Sequence, residues 1–251
     1  MENDLIYAGL AAVLGGFVNA VAGGGTLITF PVLTALGIPP VAANVTNTVA
    51  LCPGYFGGTV AQLSDLKTTG KNIWLLLLIG FLGGLTGGLI LITTNEKIFT
   101  FLIPYLIMFG ALLLAFQPYI KKIFLYKNYT DKTYYNKILS IILIIPAALY
   151  GGYFGAGLGV ILLAVLGLYI EQPLTKINAL KQAISLCVNI AAAILFIFSG
   201  YVYWYYALIM AICAIIGGIC GGLVIKKINT EIFRWIVVAV GIIISIYYFI
   251  K

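Results

Sequence analysis

The sequence predicts an all-α integral membrane protein built from two repeated halves. Composition, long apolar runs and an internal repeat support this prediction. The chain of 251 residues is 63% hydrophobic and 8% charged, whereas soluble domains carry about 25% charged residues. Lipid is therefore the expected solvent for much of the protein surface.

The apolar runs predict membrane-spanning helices. The runs 73–92, 99–116 and 232–250 are continuous, and a spanning helix needs about 20 mainly apolar residues. Strands of a membrane barrel would instead alternate apolar and polar residues over about ten positions.

An internal repeat appears when the chain is shifted by 134 positions. The following pairs then coincide: Gly83 and Gly217, Gly84 and Gly218, Gly87 and Gly221, Gly88 and Gly222, Pro39 and Pro173, Asn44 and Asn178. We predict a first repeat over 1–117, a cytoplasmic basic connector over 118–134 and a second repeat over 135–251, within one membrane domain. Apolar chains built from such halves are typical of secondary transporters.

Each half is predicted to hold about five helical segments. These are 5–22, 26–37, 40–63, 70–93 and 97–117, then 135–154, 158–170, 173–199, 203–225 and 229–250. The second segment of each half is short and follows a glycine cluster, so it either spans or re-enters the membrane. Short, glycine-interrupted segments at matching places in two halves point to a transport site.

The basic residues predict the orientation. They lie mainly in short loops, as in the positive-inside pattern of membrane proteins, so a nucleic-acid partner is not expected. With the connector inside, the basic residues Lys67, Lys71, Lys226, Lys227 and Arg234 also fall inside. Both termini then lie on the extracytoplasmic side of the cell (inner or plasma) membrane. This arrangement makes the halves inverted repeats. Parallel halves would place Lys226, Lys227 and Arg234 outside, which fits the pattern less well.

Polar residues gather beside the two glycine clusters. Polar side chains are costly in hydrocarbon unless they are paired or face a cavity. A helix that begins after glycines offers free N–H groups and the positive end of its dipole, which together bind anions. The alternative is that the glycines only permit close helix crossing. The candidate substrate-binding residues are Asn19, Gly24, Gly25, Thr26, Asn44, Thr46, Asn47, Gly157, Gly159, Asn178, Lys181, Gln182 and Asn189.

Lys181 is the candidate for a binding charge. It is predicted to lie about 12 Å into the helix that begins at Pro173. An intramembrane lysine is a functional-site hypothesis by default, and snorkelling to the surface is the alternative. Its counterpart in the first half is Asn47, so the site is expected to be chemically asymmetric.

Catalytic patterns are missing from the sequence. It contains no histidine, and the carboxylates lie in predicted loops or at segment ends, which argues against a proton relay. Phosphate-loop, serine-hydrolase and zinc-protease motifs are also missing. We therefore expect neither an enzyme nor a cofactor or metal site.

Glycines spaced four apart mark the segments 70–93 and 203–225. Such spacing lets helix backbones approach closely within a membrane. We expect these helices to pack across the molecule or in a homo-oligomer.

These motifs resemble the TauE/SafE-type sulfite exporter family. The resemblance covers most of the chain. Its motifs are GFVNAVAGGGTLITFPVL at 16–33, GIPP at 37–40, Thr46-Asn47, GYFGAGLG at 152–159, Leu180-Lys181 and Asn189. The resemblance implies a two-repeat permease for sulfite, thiosulfate, sulfonates or related small anions. The chain departs from the family pattern at Thr48, where a lysine is frequent, and at Leu158 and Leu180.

The leading hypothesis is a secondary transporter that exports a small sulfur-containing anion through a midplane site between the repeats. One alternative is a cation-coupled importer of an organosulfur compound. Another is a membrane scaffold subunit whose glycines serve packing alone.

Overall fold

The computed structural model describes residues 2–67, 73–125, 133–169, 173–224 and 230–250. Within these ranges the regular structure is entirely helical. The helices are α1 Glu2–Val21, α2 Thr26–Ala35, α3 Pro40–Ala61, α4 Leu63–Lys67, α5 Ile73–Thr93, α6 Glu96–Leu125, α7 Thr133–Tyr153, α8 Leu158–Tyr169, α9 Leu174–Ile197, α10 Trp204–Val224 and α11 Thr230–Ile250.

Five stretches of the described helices are long and apolar enough to cross a membrane. They are Asn3–Val21, Ile73–Thr93, Glu96–Tyr119, Leu174–Ile197 and Trp204–Val224. Large apolar side chains such as Trp74, Leu208 and Ile212 point outward from these helices, as expected of a surface in contact with lipid. The predicted all-α membrane fold is confirmed.

Two helices differ from the predicted segments. The segment predicted over 40–63 ends earlier, at Ala61, and a short helix, α4, follows it. Helix α6 continues to Leu125, beyond the segment end predicted at 117, where the basic connector was expected to begin. The apolar residues beyond Pro118 keep helical spacing, so one proline does not terminate the helix. The predicted connector therefore begins within α6, and 126–132 lie outside the described residues.

Both glycine clusters interrupt the chain as predicted. The first break separates α1 from α2 and the second separates α7 from α8. Gly23 and Gly157 have φ angles of +87° and +77°, a region in which side chains other than glycine are strained. With ten residues in α2 and twelve in α8, these helices are about 15 and 18 Å long, shorter than the hydrocarbon core.

One helix of each half packs mainly on helices of the other half. Helix α10 packs on α1 and α3, and α5 packs on α7 and α9. The contact faces are glycine backbones: a Cβ on Gly218 would lie 2.1 Å from the Gly54 oxygen, and one on Gly84 would lie 2.3 Å from the Val188 oxygen. The glycine-rich helices thus pack across the molecule. A homo-oligomer through them stays a prediction.

Corresponding helices of the two halves run in opposite directions where they meet. Along the contact of α3 with α9, Gly58 adjoins Gln182 and Gln62 bonds to Asn178, so residue numbers rise on one helix as they fall on the other. Inverted repeats require such crossings between equivalent helices. Inversion across a bilayer, the repeat boundaries and the orientation of the loops remain predictions.

Candidate functional site

The two glycine breaks touch each other. A Cβ on Gly23 would lie 2.5 Å from the Gly159 Cα, and a Cβ on Gly159 would lie 2.6 Å from the Gly23 Cα. Real side-chain atoms essentially never approach so closely, so both positions need glycine. The folded chain therefore brings the first glycine break against the first turn of α8.

Side chains from α1 and α6 hold the first break. The Gly25 N–H donates to Asn19 Oδ1 at 2.7 Å, and Gln117 Nε2 donates to the Ala22 carbonyl at 3.3 Å. The bond from Gly25 determines the orientation of the Asn19 amide. Asn19 Nδ2 is buried and has no hydrogen-bond partner in the described part of the chain, so it is an available donor.

The second break is held from both halves of the chain. The Tyr150 hydroxyl donates to the Ala156 carbonyl at 2.7 Å. Across the halves, Asn44 Nδ2 donates to the Tyr153 carbonyl at 2.8 Å. A predicted site residue on α3 is thereby placed at the end of α7.

Sequence reasoning missed Gln117 and Tyr150. Gln117 stands at the predicted end of a segment, where a polar residue is unremarkable, yet it is 3% exposed. Tyr150 resembles many other tyrosines in this chain. Only their positions could have indicated a role in the site. Tyr150 lies next to the second glycine break, and Gln117 carries a polar group at the end of an apolar stretch.

Lys181 is buried at the junction of the breaks. It is the eighth residue of α9, about 12 Å from the helix start as predicted, and it is 1% exposed. A Cβ on Gly159 would lie 3.5 Å from Lys181 Cδ. Such burial is not what snorkelling to the membrane surface would produce.

Gln182 and Ser185 lie beside Lys181 on α9. Gln182 is 0% and Ser185 1% exposed, and a Cβ on Gly58 of α3 would lie 2.5 Å from Gln182 Nε2. Among the described residues, neither amide atom of Gln182 nor the Ser185 hydroxyl has a hydrogen-bond partner. Each unsatisfied buried group costs about 1–3 kcal/mol. A ligand that bonds to these groups would remove that cost.

Three further predicted site residues have partners within the protein. Asn178 Nδ2 donates to Gln62 Oε1 at 2.6 Å, and Thr46 Oγ1 accepts the Tyr203 N–H at 3.0 Å, so both link separate parts of the chain. Asn189 Nδ2 donates to the Ser185 carbonyl at 2.8 Å within α9. A part in binding stays a prediction for all three.

The remaining predicted residues are buried or lie at helix crossings. Asn47 is 1% and Thr26 is 6% exposed, and Thr26 begins α2 beside Gly25. Gly24 faces α6, since its Cβ would lie 2.3 Å from Leu114 Cδ1. Gly157 packs on Gly110, whose Cα would be 3.2 Å from an added Cβ. These contacts place the glycines at helix crossings around the breaks.

The chemistry of this region suits an anion. Lys181 supplies an ammonium group, and Asn19, Gln182 and Ser185 supply hydrogen-bond donors. Three described carboxylates lie in the first turns of their helices: Asp65 in α4, Glu96 in α6 and Glu231 in α11.

Comparison with known proteins agrees with this chemistry. The family described as "Sulfite exporter TauE/SafE" matches residues 8–248. The chain belongs to the TauE/SafE family.

Relatives of this TauE/SafE protein carry transporter names. It is 28% identical to a "Probable membrane transporter protein" of Haemophilus influenzae, over 88% of this chain and 85% of the relative. It is 25% identical to the "Probable membrane transporter protein YfcA" of Escherichia coli K12, over 93% and 85%. It is 26% identical to the "Probable membrane transporter protein ORF9" of Sinorhizobium sp, over 96% and 91%. The TauE/SafE chain is thus a multi-pass membrane transporter.

Proposed function

We propose that this transporter exports a small sulfur-containing oxyanion such as sulfite, thiosulfate or a sulfonate. The carrying observation is the buried group Lys181, Gln182 and Ser185 beside two glycine breaks in direct contact. The family description names sulfite, and the donors around the breaks fit the oxygens of such an anion.

Burial makes these groups effective ligands. A charge interaction weakens with the dielectric constant, so an ammonium group held away from water attracts an anion more strongly than one at the surface. The first turns of α2 and α8 add the positive ends of two helix dipoles. In this proposal Lys181 supplies the positive charge, and Asn19 and Gln182 donate hydrogen bonds that orient the anion.

Export needs no proton relay in this scheme. An inside-negative potential favours outward movement of an anion by about 2.3 kcal/mol per charge per 100 mV. We place the chain in the cell (inner or plasma) membrane with both termini extracytoplasmic.

Access to the site requires movement. Lys181, Gln182 and Asn47 are at most 1% exposed, so an anion reaches them after parts of the protein separate. Alternating access, in which one body rocks against another around a central site, is the expected mechanism.

Two alternatives make different predictions. A cation-coupled importer would take up an organosulfur compound only in the presence of a cation gradient. A scaffold subunit would bind no anion. The scaffold hypothesis does not explain why the polar groups of Gln182 and Ser185 are buried without hydrogen-bond partners among the described residues.

Counterflow of radiolabelled sulfite into proteoliposomes tests the proposal. We expect exchange by the unmodified protein and a loss of at least tenfold in Lys181→Ala. Lys176→Ala, in the first turn of the same helix, is the matched control and should retain exchange. Equal rate and affinity in Lys181→Ala would contradict the charge role. If the folded protein exchanged no sulfite, no thiosulfate and no sulfonate, that result would contradict the proposed transport of sulfur oxyanions.

A further inference from the structure

We propose that an alkali-metal cation binds between α3 and the end of α7, at Asn44 and Asn47, and accompanies the anion. The binding site stands on its own geometry, whereas the coupling rests on the proposed function.

The first argument is a pair of buried oxygens without donors. Asn44 Nδ2 donates to the Tyr153 carbonyl at 2.8 Å, which determines the amide orientation and leaves Oδ1 as the available atom. Neither Asn44 Oδ1 nor Asn47 Oδ1 has a partner among the described residues, and the two side chains are 0% and 1% exposed. An anion without an N–H or O–H group cannot satisfy oxygen acceptors, whereas a cation can.

The two amides lie on one side of α3. Residues three apart on a helix have Cβ atoms about 5–6 Å apart, so one small cation can lie near both. A free amide oxygen is an ordinary ligand for hard cations.

The end of α7 adds further oxygens. The N–H groups of Phe154 and Gly155 both donate to the Tyr150 carbonyl. Apart from hydrogen bonds within helices, no backbone N–H of the described residues donates to the carbonyl of Gly151 or Gly152. The C-terminal end of a helix is also the negative end of its dipole. Ends of broken helices with unwound carbonyls bind coupling cations in transporters.

The internal repeat supplies the third argument. Asn47 is the eighth residue of α3, and Lys181 is the eighth residue of α9. The second half therefore carries an attached ammonium at the position where the first half has an amide oxygen. A bound cation at Asn47 would give the first half a positive charge at the repeat position of Lys181, and the two charges together equal that of a divalent oxyanion.

The ligands favour a monovalent ion. Amide and backbone oxygens are neutral, whereas protein sites for divalent calcium or magnesium rely on carboxylates. An N–H or O–H group on the substrate could also satisfy the two oxygens. The experiment therefore measures cation binding without any anion.

The first measurement is binding of radiolabelled sodium to purified protein in detergent, together with thermal stability in sodium, potassium or N-methylglucamine chloride. We expect saturable sodium binding, with competition by potassium as a further measure of selectivity. Binding should be lost in Asn47→Leu and retained in Asn95→Leu, a matched change at an exposed turn. Absence of alkali-cation binding in unmodified protein, or equal binding in Asn47→Leu, would overturn the site.

The second measurement tests coupling. Sulfite counterflow should fall at least tenfold when N-methylglucamine replaces alkali cations, and Asn47→Lys should make it independent of them. Counterflow that never depends on the cation would overturn coupling while leaving anion transport intact. Cation binding lost in Asn47→Leu, with no anion exchanged by any variant, would uphold the site and overturn the proposed function.

Discussion

Two amides on α9 have opposite hydrogen-bonding environments. Asn178 is bonded to Gln62 across the contact with α3. Gln182, one turn later, is fully buried with both amide atoms unpaired in the described chain. Paired amides stabilise a fold modestly, whereas unpaired ones are costly. The difference separates a structural amide from one available to a ligand.

Gln182→Leu is expected to uncouple stability from transport. Leucine removes two unsatisfied polar atoms, so the free energy of unfolding should stay constant or rise by about 1–3 kcal/mol. Sulfite counterflow should fall at least tenfold. Thermal denaturation and counterflow of the same preparation measure both quantities.

Asn178→Leu is the matched comparison. It leaves Gln62 without its partner, so we expect a lower unfolding midpoint. A Gln182→Leu variant that is as destabilised as Asn178→Leu would show that the Gln182 amide supports the fold.

At the scale of helices, glycine faces determine which elements can adjoin. Gly218 on α10 lies against the Gly54 backbone on α3, and an added Cβ would be 2.1 Å from the Gly54 oxygen. Gly9 on α1 faces side chains instead, with its Cβ 3.2 Å from Cys213 Sγ. Backbone atoms cannot move aside without shifting a helix, whereas side chains can turn.

Gly218→Ala should therefore destabilise the protein by about 1–3 kcal/mol, the usual cost of overpacking. Gly9→Ala is expected to change stability by less. Thermal midpoints of the two purified variants in detergent make the comparison. Equal midpoints for Gly218→Ala and the unmodified protein would contradict the close approach of α10 and α3.

At the scale of the molecule, the packed groups do not coincide with the sequence halves. Helices α1 and α3 pack on α10, with α2 against α1 and α3, and helices α7 and α9 pack on α5, with α8 against α7 and α9. The contact of α3 with α9 lies between these two groups. We expect the two groups, rather than residues 1–117 and 135–251, to move against each other during transport.

Two disulfide cross-links distinguish these possibilities. In a background without the four native cysteines, Gly88→Cys with Ala192→Cys joins α5 to α9, where the Gly88 Cβ would lie 3.3 Å from the Ala192 Cβ. Gln62→Cys with Asn178→Cys joins α3 to α9. We expect sulfite counterflow to survive the first cross-link and stop with the second, with reduction restoring it.

Loss of counterflow with both cross-links would identify the sequence halves as the moving bodies. Each cross-link joins a residue of 1–117 to a residue of 135–251, so either would prevent movement of one half against the other. Reduced samples of each double variant serve as controls for the substitutions themselves.

Local chemistry explains which features could be predicted from the sequence. Apolar runs and few charges require a helical membrane protein. The glycine clusters at 23–25 and 155–157 separate helices, whereas the glycine pairs within α5 and α10 do not. Lys181 was predicted to lie about 12 Å into its helix because eight residues of helix have a known length. The α6 boundary was wrong because the basic residues after 117 were assigned to a connector, although apolar residues keep helical spacing beyond Pro118.

The sequence by itself determined the fold class, the two breaks and the polar residues near them, since these depend on composition and neighbouring residues. The tertiary structure alone decided that the breaks touch and that α5 and α10 each pack on the opposite half. It also decided that the Asn178 amide has a hydrogen-bond partner, whereas the Gln182 amide has none among the described residues. A glycine pattern shows that some backbone comes close but does not name it. Hydrogen-bond partners more than 100 residues apart, as in Asn44 with Tyr153, are selected by the packing of whole helices.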